Sequence, residues 1–181
     1  MATVQFDELN GPYRTITADP PWRMPQMAAT KVNAGKKYST MSIQDLRAMP
    51  VGDLADSSAH LWLWALNGMM EEAYAVVRAW GFRPITLVTW CKPGPGVGYY
   101  LRTNTEQCIF ATRGAPMVPA VKPLSTWFQW PRGAHSAKPA AFGDLVEQVS
   151  PGPYLELFAR AQRLGWDTWG KGYESEPQEA A

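Results

Sequence analysis

Apolar runs of about four to eight residues alternate with amphipathic stretches along the chain, a pattern typical of a sheet flanked by helices. The runs predict strands over residues 13–18, 59–66, 84–91, 105–112 and 154–159, with a last short strand over residues 167–170. Ser42 is expected to cap a short helix that ends near Met49, and Asn67 a helix of about 13 residues that ends at Gly81. A further helix is predicted over residues 139–149, with Pro139 in its first turn. These elements predict the α/β class.

The length of 181 residues fits one domain of ordinary size. With 46% hydrophobic residues, the chain can bury a core without disulfides or a structural metal. We expect a single domain over residues 1–172. Residues 173–181 are expected to form a flexible tail, because terminal residues are poorly ordered unless other contacts hold them.

No segment has the pattern of a membrane span or a secretory signal. The longest apolar run, residues 61–66, is far shorter than the about 20 residues that cross a bilayer. The first ten residues have neither a basic nor an apolar signal region. We therefore expect a cytoplasmic protein with no membrane partner. Cys91, Cys108 and His60 are expected to be core residues, with a disulfide or a metal pair as the alternative for the two cysteines. No metal site is predicted, because His135 has no second ligand at metal spacing.

The charge of the chain is segregated. Residues 83–143 contain seven Lys or Arg and one acidic residue, although the whole chain has a net charge of +1. These cations lie among aromatic residues, a combination that suits a phosphate backbone with unstacked bases. A solvated surface over an aromatic core remains the alternative. The run Gly94, Gly96 and Gly98 is interrupted by prolines and is no dinucleotide fingerprint. It predicts a loop that follows nucleic acid, or an ordinary hairpin loop.

The sequence Asp-Pro-Pro-Trp at residues 19–22 follows the first predicted strand, at the edge where open α/β sheets bind ligands. The stiff turn leaves the Asp19 carboxylate and the Pro20 carbonyl as two acceptors for the hydrogens of an exocyclic amine. Such a grip turns the lone pair of adenine's 6-amino group toward an electrophile, and Trp22 offers a ring for stacking a flipped base. A proline-rich turn with a capping Asp19 and a core Trp22 is the alternative.

Four blocks in order give the chain a family resemblance. They are ADPPW at residues 18–22, KKYSTMS at 36–42, HSAKP at 135–139, and LELFAR at 155–160 followed by GWDTWG at 165–170. Residues 80–82, 89–92 and 106–114 also fall where the family has similar strings. The chain resembles the adenine-N6 methyltransferases of the messenger-RNA-writer type, which have many bacterial and phage members.

The resemblance implies a Rossmann-like sheet that binds S-adenosylmethionine, with the catalytic block ahead of the cofactor block. The residues that it marks as catalytic are Asp19, Pro20, Pro21 and Trp22. Those marked as cofactor-binding are Ala18, Asp19, Ser136, Lys138, Phe158, Arg160, Gly170 and Lys171. Those marked as substrate-binding are Trp22, Tyr38 in a gate loop, Lys92 and Glu106. Lys171 stands where the family often has Asn, which is a departure at the expected adenine contact.

Physical chemistry is consistent with two of these roles. Lys138, expected in the first turn of a helix, would add a positive charge for the methionine carboxylate, with a plain surface lysine as the alternative. Arg160 follows a buried strand and would reach the ribose, with an ion pair to Glu156 or Asp167 as the alternative.

The expected reaction is methyl transfer to the 6-amino group of adenine in nucleic acid, with DNA favoured over RNA. An RNA enzyme and a noncatalytic, nucleic-acid-binding scaffold subunit are the alternatives. The short chain has no obvious separate recognition domain. We therefore expect recognition of the substrate to come from the basic loops, from a homodimer or from a partner subunit.

Overall fold

A computed structural model of the chain describes residues 6–23, 40–94, 96, 98–115, 123–132 and 137–170. Within these residues, seven strands form one sheet in the order β5-β3-β4-β2-β1-β6-β7. Their bounds are β1 Tyr13–Ala18, β2 Ala55–Ala65, β3 Arg83–Cys91, β4 Thr105–Arg113, β5 Trp127–Gln129, β6 Tyr154–Leu157 and β7 Trp166–Trp169.

One strand of the sheet runs against the others. β4 pairs antiparallel with both β2 and β3, whereas β1–β2, β1–β6, β6–β7 and β3–β5 are parallel pairs. The ends of β1, β2, β3, β6 and β7 therefore meet the beginning of β4 at one edge, which we call the carboxyl edge. Loops from distant parts of the sequence meet there.

Helices cover both faces of the sheet. Their bounds are α1 Ile43–Ala48, α2 Val51–Leu54, α3 Met70–Ala79 and α4 Ala140–Val149, with short 3₁₀ turns at Phe6–Glu8 and Asn67–Met69. β2 is buried on both sides: Leu61 and Leu63 pack in the core beneath α1 and α3, and Trp62 and Trp64 in the core beneath α4. Because successive side chains of a strand point to opposite faces, one continuous apolar run serves both cores.

The α/β class, with a sheet and flanking helices, is confirmed. β1 has the predicted bounds, and Ser42 caps α1 by accepting a hydrogen bond of 3.1 Å from the Asp45 amide. β2 begins earlier than expected, at Ala55, and the short elements β5 and α2 were not predicted. Among the described residues, no helix is long and apolar enough to span a bilayer.

Two expectations about helix starts are wrong. Asn67 begins a 3₁₀ turn. Its side-chain amide (Nδ2) donates to the Thr105 hydroxyl at 3.0 Å and does not cap α3. Pro139 is the N-cap residue of α4, so Lys138 precedes the helix and does not lie in its first turn. Proline at this position has no side-chain acceptor for the first amides, which leaves the cap without a side-chain hydrogen bond.

The expected core residues are largely confirmed. His60 is buried, and its Nδ1 atom shares a 2.8 Å hydrogen bond with the Ser150 hydroxyl, which also accepts a 3.0 Å bond from Trp62 Nε1. Cys108 is buried but Cys91 only half-buried, and both carry free thiols. Burial, with a smaller effect from the Arg14 cation, lowers the pKa of His60 from 6.5 to about 4.

His60 is expected to make the fold sensitive to acid. The unfolded chain binds a proton at this imidazole near pH 6.5 and the folded chain only near pH 4, so this contribution to stability is lost as pH falls through that interval. In His60→Gln, which cannot ionise, the free energy of unfolding should fall less between pH 7 and pH 4 than in the wild type. Urea unfolding at several pH values measures the difference, and parallel curves for the two chains would contradict the prediction.

Candidate active site

Charged residues from four parts of the chain meet at the carboxyl edge. Asp19 follows β1, Lys92 follows β3, Glu106 is the second residue of β4, and Arg160 follows β6. Asp19 and Lys92 directly follow their strands and Glu106 lies within β4, so the sheet fixes their backbone positions, whereas Phe158 and Ala159 separate Arg160 from β6. The reversed direction of β4 places Glu106 at the same edge, because the beginning of β4 lies beside the ends of its neighbours.

Backbone hydrogen bonds hold the Asp-Pro-Pro-Trp turn in place. The Trp22 amide donates to the Pro20 carbonyl at 2.8 Å, and the Met41 amide donates to the Pro21 carbonyl at 2.9 Å. The Pro20 carbonyl, expected to accept a hydrogen of an exocyclic amine, thus already accepts one backbone hydrogen bond. A carbonyl oxygen has two lone pairs, so one acceptor position remains for an amine hydrogen.

Trp22 lies mainly in the protein core. Its side chain is 8% exposed, and its Nε1 atom donates to the Trp64 carbonyl of β2 at 3.0 Å. So little ring surface is free that the structure favours the core alternative over an open stacking face for a base. The indole instead ties the turn that carries Asp19 to the centre of the sheet.

Five residues form a connected set of charges, which we call the edge network: Asp19, Lys92, Glu106, Lys138 and Arg160. Lys138 Nζ lies 2.7 Å from Asp19 Oδ2 and 3.4 Å from Glu106 Oε2. Lys92 forms an ion pair with Glu106. Arg160 Nη2 lies 3.8 Å from Asp19 Oδ2, whereas the alternative weighed for this residue was an ion pair with Glu156 or Asp167.

The edge network is partly shielded from solvent. The side chains of Asp19, Glu106 and Lys138 are each about one-fifth exposed, whereas that of Arg160 is 50% exposed. Burial alone would raise the pKa of Glu106, but the nearby Lys138 and Lys92 outweigh it and hold that pKa below its usual value. Glu106 is therefore ionised at neutral pH.

A cavity of about 340 Å³ opens beside the edge network. Five of the residues expected to bind the cofactor line it, namely Ala18, Asp19, Lys138, Phe158 and Arg160. The cavity volume lies in the range of small-molecule sites. Trp64 forms part of the wall, and the Lys138 ammonium lies 5.2 Å from the centre of its ring.

The backbone turns sharply where β6 ends. Phe158 has φ 62°, a left-handed conformation that a bulky residue rarely adopts, and its ring packs edge-on against Trp169. Gly170 is buried against this turn: a Cβ there would lie 2.7 Å from the Ala159 carbonyl oxygen. Gly170 therefore packs against the backbone of Ala159, and its expected contact with the cofactor stays a prediction. The turn sends Arg160 out of the sheet toward Asp19.

Glu156 is a site residue that sequence reasoning missed in this role. It lies on β6 opposite Thr17 and Thr168 and lines the cavity. Burial, and then the nearby Asp19 carboxylate, raise the pKa of Glu156 to about 7 against the weaker opposing effect of Arg163 and Lys138. The sequence did contain a signal, because the alternation Leu155-Glu156-Leu157 places the glutamate on the face of the strand opposite the two leucines. In the structure both leucines are fully buried.

The side chains around the cavity fit a zwitterionic amino-acid group attached to a nucleoside. Lys138 offers a cation for a carboxylate, and Asp19 and Glu156 offer carboxylates for an ammonium. Arg160 offers a donor fork for hydroxyl groups. The buried Trp64 Nε1 atom has no hydrogen-bond partner among the described residues, which leaves a donor in the wall of the same cavity.

Three predicted site residues, Tyr38, Ser136 and Lys171, lie outside the described residues. Lys92 and Glu106, expected to bind substrate, do not line the cavity but join its Lys138 through the edge network. Within the described ranges, no group of three or more His, Cys, Asp or Glu is placed to hold a metal ion.

Comparison with known proteins gives a family match over most of the chain. The sequence model of the MT-A70 family matches residues 13–172. The chain is 28% identical over 178 residues to the type II methyltransferase M.MunI of Mycoplasma sp, an alignment that covers 87% of this chain and 76% of that protein.

Two eukaryotic relatives match over a similar part of the chain. The N(6)-adenosine-methyltransferase MT-A70-like protein of Drosophila melanogaster is 25% identical over 182 residues, which is 88% of this chain and 27% of that protein. The human N(6)-adenosine-methyltransferase catalytic subunit METTL3 is 24% identical over 180 residues, with 88% of this chain and 28% of that protein covered. The chain therefore spans about a quarter of the length of these relatives.

Glu156 should oppose His60 in the pH dependence of stability. The folded chain holds the Glu156 proton up to about pH 7 and the unfolded chain only to about pH 4.5, so stability is lost as pH rises through this interval. Glu156→Gln keeps the size and removes the charge. Relative to the wild type, the variant should become more stable as pH rises from 5 to 8. Thermal melts at both pH values measure the trend, and a constant difference between the chains would refute it.

Proposed function

The chain belongs to the MT-A70 family, and on that premise we propose that it transfers a methyl group from S-adenosylmethionine to the 6-amino group of adenine in nucleic acid. The observation that carries the proposal is the position of Asp19. It stands at the head of the Asp-Pro-Pro-Trp turn, lines the cavity, and lies 2.7 Å from Lys138. One carboxylate can therefore serve both the cofactor and the amine that receives the methyl group.

Each of the residues that line the cavity would bind a different part of the cofactor. Lys138 would pair with the methionine carboxylate, Asp19 and Glu156 would face the ammonium, and Arg160 would donate to the ribose hydroxyls. When bound, S-adenosylmethionine supplies a methyl group on a sulfonium, which leaves as a neutral thioether. Ser136 and Lys171 remain proposed cofactor contacts from the family resemblance.

Among the described residues, no hydrogen bond or ion pair reaches the Oδ1 atom of Asp19, which leaves this oxygen for the target amine. Lys138 and Arg160 both approach its Oδ2 atom, so we assign the amine hydrogen to Oδ1. The second amine hydrogen would go to the Pro20 carbonyl. This grip orients the nitrogen lone pair and stabilises the positive charge that develops on the nitrogen as the new N–C bond forms and the C–S bond breaks. After transfer the nitrogen loses one proton through Asp19 Oδ1 to solvent water, so Asp19 need not remove it before transfer.

Positioning of the two reactants would contribute to the rate enhancement. Fixing two reactants in line can contribute about 7–11 kcal/mol. The edge network would fix the cofactor end through Lys138 and the amine end through Asp19, and these two side chains are in direct contact. Trp22 would contribute by anchoring the turn, and Lys92 and Glu106 by holding Lys138. Tyr38 remains a proposed gate over the target base.

DNA is favoured over RNA as the substrate. The chain covers 76% of the type II methyltransferase M.MunI but 28% of the N(6)-adenosine-methyltransferase catalytic subunit METTL3. The target adenine would be flipped or already unpaired, because the amine must reach the cavity at the carboxyl edge. We also propose that residues 1–172 form a single domain. The chain would act as a homodimer or with a partner subunit.

Loss of the Asp19 carboxylate should abolish methyl transfer. Asp19→Asn keeps the size of the side chain but replaces one acceptor oxygen with a donor, so turnover should fall by at least about 100-fold. S-adenosylmethionine should still bind, more weakly, because Lys138 and Arg160 remain. The assay uses methyl-labelled S-adenosylmethionine with duplex DNA, single-stranded DNA and single-stranded RNA, each digested to nucleosides.

The matched control is Asp53→Asn, a change at an exposed aspartate of α2, away from the cavity lining. It should leave turnover unchanged. Label in N6-methyldeoxyadenosine would support the DNA proposal, and label in N6-methyladenosine would move the substrate to RNA. Wild-type turnover by Asp19→Asn would overturn the assignment. Cofactor binding without any labelled product would indicate that a partner subunit is missing, and absence of both cofactor binding and product would favour the noncatalytic subunit.

A further inference from the structure

Three consecutive large side chains project into solvent between β3 and β4. Tyr99, Tyr100 and Leu101 are 94%, 92% and 84% exposed. The two tyrosine rings lie 5.1 Å apart in an edge-to-face contact. Exposed apolar side chains scattered singly are ordinary, but a contiguous group marks an interaction site. We call these three residues the hairpin tip.

The loop that carries the hairpin tip is folded tightly on itself. A Cβ on Gly96 would lie 1.6 Å from the Thr103 carbonyl oxygen, and one on Gly98 would lie 1.8 Å from the Leu101 carbonyl oxygen. These contacts are possible only because neither glycine has a side chain. The glycine-rich sequence thus lets the two arms of the loop touch and leaves the hairpin tip on the outside.

The base of the loop is bonded to the edge network. The Lys92 amide donates to the Asn104 carbonyl at 2.7 Å, which extends the pairing of β3 with β4 by one step. The Lys92 side chain pairs with Glu106, and Glu106 Oε2 lies 3.4 Å from Lys138 Nζ. The hairpin therefore rises from the carboxyl edge, beside the cavity that Asp19 lines.

The charge of the loop favours a polyanionic partner. Residues 93–104 contain Arg102 and no Asp or Glu, whereas the side chain of Lys92, at the base of the loop, is paired with Glu106. Aromatic rings beside cations are the combination that binds single-stranded nucleic acid, because the rings stack on bases and the cations face phosphates.

We propose that the hairpin tip stacks on unpaired bases of the nucleic-acid strand that carries the target adenine. The inference rests on the proposed function and extends it by naming the surface that holds the substrate outside the cavity. Tyr99 and Tyr100 supply the ring faces, and Arg102 pairs with a phosphate of the same strand. The loop would therefore stack on bases, a role for which the buried Trp22 has little free ring surface.

Binding of a fluorescein-labelled single-stranded DNA, followed by anisotropy without cofactor, tests the proposal. The double variant Tyr99→Ala/Tyr100→Ala should bind at least about tenfold more weakly. Tyr99→Phe/Tyr100→Phe should bind as the wild type does, since stacking needs the ring and not the hydroxyl. Arg102→Ala should reduce the slope of log K against log salt concentration by about 0.7.

Leu164→Ala is the matched control, because Leu164 is 98% exposed in the loop between β6 and β7 and is not part of the hairpin. It should leave DNA binding unchanged. Sedimentation of each variant reports self-association. Unchanged DNA affinity of the double alanine variant would overturn the proposal. If that variant also lost self-association, a second copy of the chain would be the partner of the hairpin tip.

Failure of this inference can be told apart from failure of the proposed function. Tyrosine-dependent DNA binding without any methyl transfer would support the hairpin tip and contradict the proposed reaction. Methyl transfer by a chain whose DNA binding is unaffected by the double alanine change would support the proposed reaction and contradict the role of the hairpin tip. Calorimetric binding of S-adenosylmethionine should be equal in all hairpin variants, which shows that the cavity is intact.

Discussion

Lys138 carries the positive charge on which the arrangement of the carboxyl edge depends. Its ammonium lies between Asp19, which follows β1, and Glu106, which begins β4. Glu156, on β6, lines the same cavity as Asp19 and Lys138. Without Lys138, several partly buried carboxylates would share one small region with less compensating charge, which is costly where water is scarce. The lysine therefore joins loops that are far apart in the sequence and leaves a cavity whose charges suit a zwitterionic cofactor.

The sheet topology makes this meeting possible. β4 is the one strand among the described residues that runs against its neighbours, and its reversal places Glu106 beside the ends of β2 and β3. The same reversal makes the β3–β4 connection a hairpin that rises from the carboxyl edge. One topological feature thus serves both the edge network, through Glu106, and the exposed tyrosines of the hairpin. The proposed cofactor site and the proposed substrate surface are neighbours for this reason.

Local patterns predicted much of the fold. The apolar run of β1 and the Ser42 cap of α1 depend on residues close in sequence, and both have the expected bounds or contacts. β5, with three residues, is too short for a periodic signal and exists because it pairs with β3. Asn67 has the composition of a cap, but a contact to Thr105, 38 residues away, determines where its side chain lies.

The candidate site was predicted only in part, because its motifs are local in sequence whereas many of its contacts join distant segments. The family motifs marked Asp19, Lys138 and Arg160, which come together around Asp19 Oδ2. The burial of Trp22 depends on the Trp64 carbonyl of another strand, and no local pattern shows that contact. The raised pKa of Glu156 depends on burial and on Asp19, so the sequence shows the residue but not its state. Contacts between distant segments decide what local patterns leave open.

The central claim is that Lys138 serves the cofactor and the catalytic carboxylate together, and calorimetric titration with S-adenosylmethionine tests it most directly. Lys138→Met should weaken binding by at least about 30-fold, because it removes the partner of a charged group in a shielded site. Lys92→Met is the matched control, since Lys92 pairs with Glu106 and does not line the cavity, and it should change the affinity only a few-fold. Equal affinity of Lys138→Met and the wild type, with both chains folded, would contradict the account.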